Sequence, residues 1–146
     1  MPVTLPSDEK PPSIAVIGVG PSDQFALVEA IDRPRIQWGG VVDDLPALGS
    51  MAPGASAVIL LDGDGLALQL IEVLDQNAAL LSRNAVILQI SKPPVRLAVA
   101  AMQRGVIDVL VKPLNAVRLD AALKDAVMEC ERRVRAPARW ASEIMV

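Results

Sequence analysis

The chain has 146 residues, of which 52% are hydrophobic and 21% are charged, which predicts one globular domain and not a disordered chain. It has no histidine and a single cysteine, Cys130, which excludes Ser-His-Asp or Cys-His catalysis within the chain and an intrachain disulfide. The net charge of −3 argues against a broad nucleic-acid-binding face. The single cysteine favours the reducing cytoplasm, and the apolar runs are too short to cross a membrane.

Five apolar runs of strand length alternate with helical patterns along the chain. The predicted strands are 13–19 (SIAVIGV), 35–38 (RIQW), 57–61 (AVILL), 85–90 (AVILQI) and 107–111 (IDVLV). The predicted helices are 22–32, a weak helix over about 43–48, then 65–76 and 94–104, and a last helix that is capped by Asn115 and continues past Cys130. Short connections between alternating elements favour an α/β fold with parallel strands, right-handed crossovers and helices on both faces.

The chain divides into three predicted parts. Residues 1–12 are polar and rich in proline, so we expect a disordered N-terminal segment. Residues 13–132 form the predicted domain. Residues 133–146 are predicted to be an extension or a linker, with arginines and a tryptophan close together.

Two charged residues stand directly after predicted strands. Asp62 follows the third strand and Lys112 follows the fifth. In a parallel sheet, ligands bind outside the carboxyl ends of the strands, and these two side chains would come within ion-pair reach if their strands flank one central strand. One interpretation is a carboxylate nucleophile that accepts a phosphoryl group while the lysine neutralises the transferred oxygens. The other is an aspartate that caps a helix and a solvated lysine.

The order of these motifs resembles the receiver domain of bacterial two-component response regulators. The likeness covers about residues 13–131 and is strongest over 85–127, AVILQISKPPVRLAVAAMQRGVIDVLVKPLNAVRLDAALKDAV. It implies a (βα)₅ doubly wound, flavodoxin-like sheet of five parallel strands in the order 2-1-3-4-5. It also places Asp62 at the phosphoacceptor position and Lys112 at the position of the lysine that contacts the phosphoryl group.

The sequence departs from the receiver pattern around that site. Where receivers carry the acidic pair that holds Mg²⁺, this chain has Gly18 and Val19, whose side chains cannot bind a hard cation. Where receivers carry Ser or Thr at the end of the fourth strand, counting back from Gly105 gives Ile90, so Ser91, one place on, is the candidate ligand-binding hydroxyl. The loop after the third strand also looks short. Asp64 is expected to be a charge at the start of the next helix.

These departures predict a degenerate receiver. Without the acidic pair we expect poor Mg²⁺ binding, no enzymatic activity and no cofactor, so that the domain is not switched by aspartyl phosphorylation. Two alternatives stay open. One is a working phosphoacceptor that uses Asp62, Lys112 and Mg²⁺, and the other is a small-molecule or nucleotide sensor that uses the glycine loop 18–20.

The fourth predicted helix is poor in polar residues, so part of its apolar surface should be exposed and mark a partner surface. In receivers this helix, the fifth strand and the fifth helix commonly form a dimer or output face, which suggests a homodimer here. A histidine kinase and a C-terminal output domain are further candidate partners, and nucleic acid would be contacted only through such an output domain. The candidate interface residues are Val95, Val99 and Met102 on the helix and Val109, at the switch position of the fifth strand.

Overall fold

The structure, a computed structural model, describes residues 14–22, 25–29, 36–50 and 56–135. The predicted disordered segment 1–12, the end of the first predicted helix beyond Glu29, and residues 136–146 lie outside the described residues. None of the helices within these ranges is long and apolar enough to cross a membrane.

Five parallel strands form one sheet in the order β2-β1-β3-β4-β5. This confirms the predicted doubly wound α/β fold. The interior strands β3 and β4 are buried along their whole length, as expected for strands that are covered on both faces. The strands are β1 (Ile14–Val19), β2 (Ile36–Val42), β3 (Val58–Asp62), β4 (Ala85–Ile90) and β5 (Val106–Val111).

Helices cover both faces of the sheet. Two 3₁₀ turns, Leu45–Ser50 and Ala67–Gln69, lie in the connections. The predicted cap is present: Asn115 Oδ1 accepts hydrogen bonds from the backbone N–H groups of Val117 and Arg118. Asp44 Oδ1 accepts one from the backbone N–H of Ala47, at the start of the first 3₁₀ turn. The α-helices are α1 (Phe25–Glu29), α2 (Leu70–Gln76), α3 (Ala78–Arg83), α4 (Val95–Gln103) and α5 (Ala116–Arg135).

Each face of the sheet has its own hydrophobic core. On one face, Phe25 of α1 and Leu119 and Leu123 of α5 pack with alternate residues of the central strands. On the other face, Leu74 of α2 and Ala101 of α4 pack with the residues in between. Because aromatic residues are nearly absent, buried Leu, Ile, Val and Ala side chains fill both cores. The two cores leave the carboxyl edge of the sheet as the place where polar side chains gather.

Two predictions of element bounds were wrong. The second strand continues through the glycine pair at 39–40 to Val42, because β2 keeps its pairing with β1 around an irregularity between Val16 and Gly18. The helix predicted over 65–76 begins as an α-helix only at Leu70, so the connection after Asp62 is not short. The helical region then resumes as α3, which ends at Arg83 and was not predicted.

Candidate functional site

Asp62 and Lys112 form an ion pair at the carboxyl edge of the sheet. Strands β3 and β5 both adjoin β4, so the residues that end them lie on either side of the same strand. Lys112 Nζ lies 2.8 Å from Asp62 Oδ1, and the two side chains are 13% and 4% exposed. The backbone N–H of Lys112 donates to Ile90 O, and the Lys112–Pro113 peptide bond is cis. The predicted pairing of these two residues is therefore confirmed.

Asp64 belongs to the same cluster and is not the simple helix charge that was predicted. The turn after β3 closes when the backbone N–H of Asp64 donates to Asp62 Oδ1 at 3.1 Å. Asp64 Oδ2 then lies 3.1 Å from Lys112 Nζ. The backbone N–H and the hydroxyl of Ser91 also donate to the Asp64 carboxylate, each at 2.9 Å. The α-helix begins only at Leu70, six residues after Asp64, so the turn before it can bring Asp64 across to the end of β4.

The contacts within this cluster shift two pKa values. Hydrogen bonds from Ser91, the backbone one first, lower the pKa of Asp64 below its usual 3.8, and Lys112 adds to the effect. Burial is the largest single influence on Lys112 and disfavours its charged form, but the hydrogen bonds and charges of Asp62 and Asp64 together raise its pKa above 10.5. Asp64 and Lys112 are therefore both charged at neutral pH.

The lowered pKa of Asp64 predicts how the cluster responds to acid. A carboxyl whose pKa is depressed by folding stabilises the fold above its ordinary value of 3.8 and loses that contribution as the pH falls through the lowered value. We expect the amide nitrogen shift of Ser91, followed by NMR during acid titration, to change with a midpoint below pH 3.8. Asp64→Asn should remove that transition. A midpoint at or above 3.8 in the wild-type protein would contradict the geometry.

Ile90 ends β4, as predicted, but the residue opposite Asp62 on that strand is Gln89. Strand pairing sets Asp62 directly opposite Gln89, so their side chains share one face of the sheet, whereas Ile90 belongs to the core of the other face. Gln89 is completely buried. Its Oε1 accepts a hydrogen bond from Ser22 Oγ at 3.5 Å, and its Nε2 has no hydrogen-bond partner among the described residues. Ser91 does carry a hydroxyl at this edge, but it is exposed and bound to Asp64.

The end of β1 approaches Asp62 through Gly20. The register pairs Gly18 with Leu60 and Val19 with Leu61, so neither of the positions where receivers carry the acidic pair lies opposite Asp62. A Cβ atom on Gly20 would lie 2.9 Å from Asp62 Cβ, and one on Gly18 would lie 2.8 Å from the Phe25 ring. Within ranges 14–22, 25–29, 36–50 and 56–135, no group of three or more His, Cys, Asp or Glu side chains is arranged to hold a metal ion.

The predicted interface residues divide into exposed and partly buried groups. Val95 is 79% exposed, Val99 49% and Met102 51%, so α4 presents an apolar strip. Val111 on β5 is exposed as well, at 54%. Val109 is only half-buried and packs against the core beneath α4. Three of the four predicted interface residues are therefore exposed, and the fourth, Val109, is partly buried beneath α4.

No family model and no curated protein matches this chain, whereas solved structures do. The signal receiver domain of a LuxO repressor protein from Vibrio parahaemolyticus is 22% identical, with a TM-score of 0.68 over 86% of this chain and 98% of that one. The receiver domain of an HD domain-containing protein from Pseudomonas fluorescens is 16% identical, with a TM-score of 0.64 over 82% and 98%. Pilus assembly protein CpaE from Caulobacter crescentus is 22% identical, with a TM-score of 0.61 over 76% and 91%. The chain therefore has the fold of signal receiver domains.

Proposed function

We propose that this chain is a receiver-type signalling domain that works through protein contacts and is not switched by Mg²⁺-dependent phosphorylation of Asp62. The observation that carries the proposal is the position of the Lys112 ammonium, 2.8 Å from Asp62 and 3.1 Å from Asp64. An ammonium held by two carboxylates is not free to contact the oxygens of a phosphoryl group on Asp62. The domain is proposed to have no enzymatic activity of its own.

The donor set at this edge fits Mg²⁺ poorly. Mg²⁺ requires oxygen ligands in octahedral geometry and is usually held by one or two carboxylates together with its waters. Here the two carboxylates face a lysine cation, and the end of β1 supplies Gly18 and Val19 where receivers carry the acidic pair, followed by Gly20 beside Asp62. A metal ion would have to compete with Lys112 for both carboxylates. We therefore propose that the domain works without a metal cofactor.

One observation favours a second candidate, the working phosphoacceptor. Asp62 and Lys112 lie next to each other at the carboxyl ends of β3 and β5, the two strands that flank β4. A phosphoryl transfer to Asp62 needs this arrangement. That candidate requires Asp64 to leave Lys112 so that the ammonium can contact the transferred oxygens. The third candidate, a sensor that binds nucleotide at the glycine loop 18–20, gains little support, because the Phe25 ring occupies the space beside Gly18.

A thermal-shift screen separates the three candidates. The protein is heated with Mg²⁺ alone, with beryllofluoride and Mg²⁺, and with a panel of nucleotides. The proposed function predicts no rise in Tm in any arm, because only ligands that bind the native state raise it. A rise with beryllofluoride and Mg²⁺ together would favour the working phosphoacceptor, and a rise with one nucleotide would favour the sensor.

The proposed partner surface is the face formed by α4, β5 and α5, and the proposed partner is a second copy of this chain. Its support is the row of exposed apolar side chains Val95, Val99, Met102 and Val111 on neighbouring elements. A histidine kinase, or an output domain in a longer chain, is proposed as a further partner of the same face. The lone buried Cys130 supports a reducing compartment, which we propose to be the cytoplasm.

The dimer proposal predicts that Val99→Glu yields a monomer. A charge in the centre of an apolar contact must be desolvated without a partner, so the substitution should shift size-exclusion light scattering from the dimer mass to the monomer mass. Val41→Glu is the matched control, because Val41 is 52% exposed, as Val99 is at 49%, but lies on β2 at the opposite edge of the sheet. A wild-type monomer, or a Val99→Glu protein that remains dimeric, would disprove this surface.

A further inference from the structure

Three hydrogen-bond donors converge on a single carboxylate at the carboxyl edge of the sheet. The backbone N–H and the hydroxyl of Ser91 each donate to Asp64 at 2.9 Å, and Lys112 Nζ lies 3.1 Å from it. Ser91 directly follows β4 and Lys112 directly follows β5, so the sheet fixes where these donors stand. The acceptor, by contrast, comes from the turn after β3, and its side chain is 37% exposed.

A fourth donor lies at the same edge without an acceptor. Gln89 Nε2 is completely buried and has no hydrogen-bond partner among the described residues, and Gln89 stands directly opposite Asp62 in the sheet. Buried amide groups are nearly always hydrogen-bonded, because an unpaired one loses its bonds to water without replacement. Several fixed donors that converge on one point are the arrangement expected for a ligand rich in oxygen acceptors.

We propose that this edge of the sheet is an oxyanion site and that the Asp64 carboxylate is its built-in occupant. Ser91 and Lys112 would bind a tetrahedral oxyanion such as phosphate through the donors that now hold Asp64. The carboxylate excludes such anions from the wild-type protein and holds the turn after β3 against β4. This inference rests on the proposed function, because an oxyanion site that is already occupied by Asp64 accounts for a domain that is not switched by phosphorylation.

The test is binding of inorganic phosphate to variants of Asp64, in the presence of EDTA and at constant ionic strength. The Ser91 amide signal is followed by NMR as phosphate replaces chloride. Asp64→Ala should bind phosphate at least about tenfold more tightly than the wild-type protein, because no internal anion has to be displaced. Asp64→Asn, which keeps the shape and an oxygen acceptor but loses the charge, should give a smaller gain. Adding Ser91→Ala to Asp64→Ala should reverse the gain.

Asp75→Ala is the matched control, because Asp75 also forms an ion pair, with Arg104 at 2.9 Å, but on the exposed surface between α2 and α4. It should bind phosphate no better than the wild-type protein. The proposal is overturned if neither Asp64 variant gains affinity, if Asp75→Ala gains as much, or if the wild-type protein already binds as tightly. Should Asp64→Ala fail to fold, Asp64→Asn decides the question alone. Inorganic phosphate without Mg²⁺ cannot phosphorylate Asp62, so a failure here leaves the proposed function standing.

Discussion

Replacing Lys112 by methionine should lower the free energy of unfolding by about 3 kcal/mol, because it removes the cation from a buried pair and leaves the partner charge uncompensated. Asp62 is 4% exposed, so water cannot take the place of the ammonium. The substitution also leaves Asp62 and Asp64 as two neighbouring carboxylates with no cation between them. Urea denaturation, with the slope checked for two-state unfolding, measures the loss.

Two further variants show whether this loss comes from the ion pair. Lys124→Met is the matched control, because Lys124 is exposed on α5, and its effect should stay within about 0.5 kcal/mol. In an Asp62→Asn background, the same Lys112→Met substitution should cost less than half of its original amount, since the buried negative charge has already gone. An unchanged cost in that background would mean that the lysine stabilises the domain by packing and not by pairing with Asp62.

Substituting alanine for Gly20 should destabilise the domain by about 2 to 4 kcal/mol. Gly20 has a φ of +105°, which an alanine adopts only with strain, and the new Cβ atom would lie 2.9 Å from Asp62 Cβ. Because that contact is with an atom next to the backbone, it can be relieved only by moving β1 or Asp62. Overpacking of this kind typically costs about 1 to 3 kcal/mol in addition to the conformational strain.

Gly40→Ala separates the two costs. Gly40 has a similar φ of +96°, but a Cβ atom there would meet nothing within 4 Å, so alanine should cost only the strain, about 1 kcal/mol. The difference between the two variants measures how closely β1 approaches Asp62. Equal losses of stability for Gly20→Ala and Gly40→Ala would contradict the close contact between Gly20 and Asp62.

The sequence predicts the frame of the site well. The apolar runs that become β3 and β4 are buried on both faces, and such runs are read directly from residue type. Alternation of strands and helices then fixes a parallel sheet, and the topology brings the ends of β3 and β5 to either side of β4. The strand order comes from the resemblance to receiver domains, and with that order the Asp62–Lys112 pair can be predicted.

The remainder of the site depends on geometry that residue spacing does not reveal. Asp64 reaches Ser91 only because the turn after β3 folds back on Asp62 and delays the α-helix to Leu70. Gln89, and not Ile90, stands opposite Asp62 because β3 and β4 pair in the register that joins Asp62 to Gln89. A count along the chain from Gly105 does not reveal that register.

The measurement that tests the central claim most directly is phosphorylation of the wild-type chain by acetyl phosphate and Mg²⁺, read by intact mass. A conventional receiver domain serves as the positive control, and Asp62→Asn serves as the negative control. Because Lys112 occupies the space between the Asp62 and Asp64 carboxylates, we predict no mass increase under conditions that fully modify the positive control. Stoichiometric addition of one phosphoryl group to the wild-type chain, absent from Asp62→Asn, would contradict the proposed function.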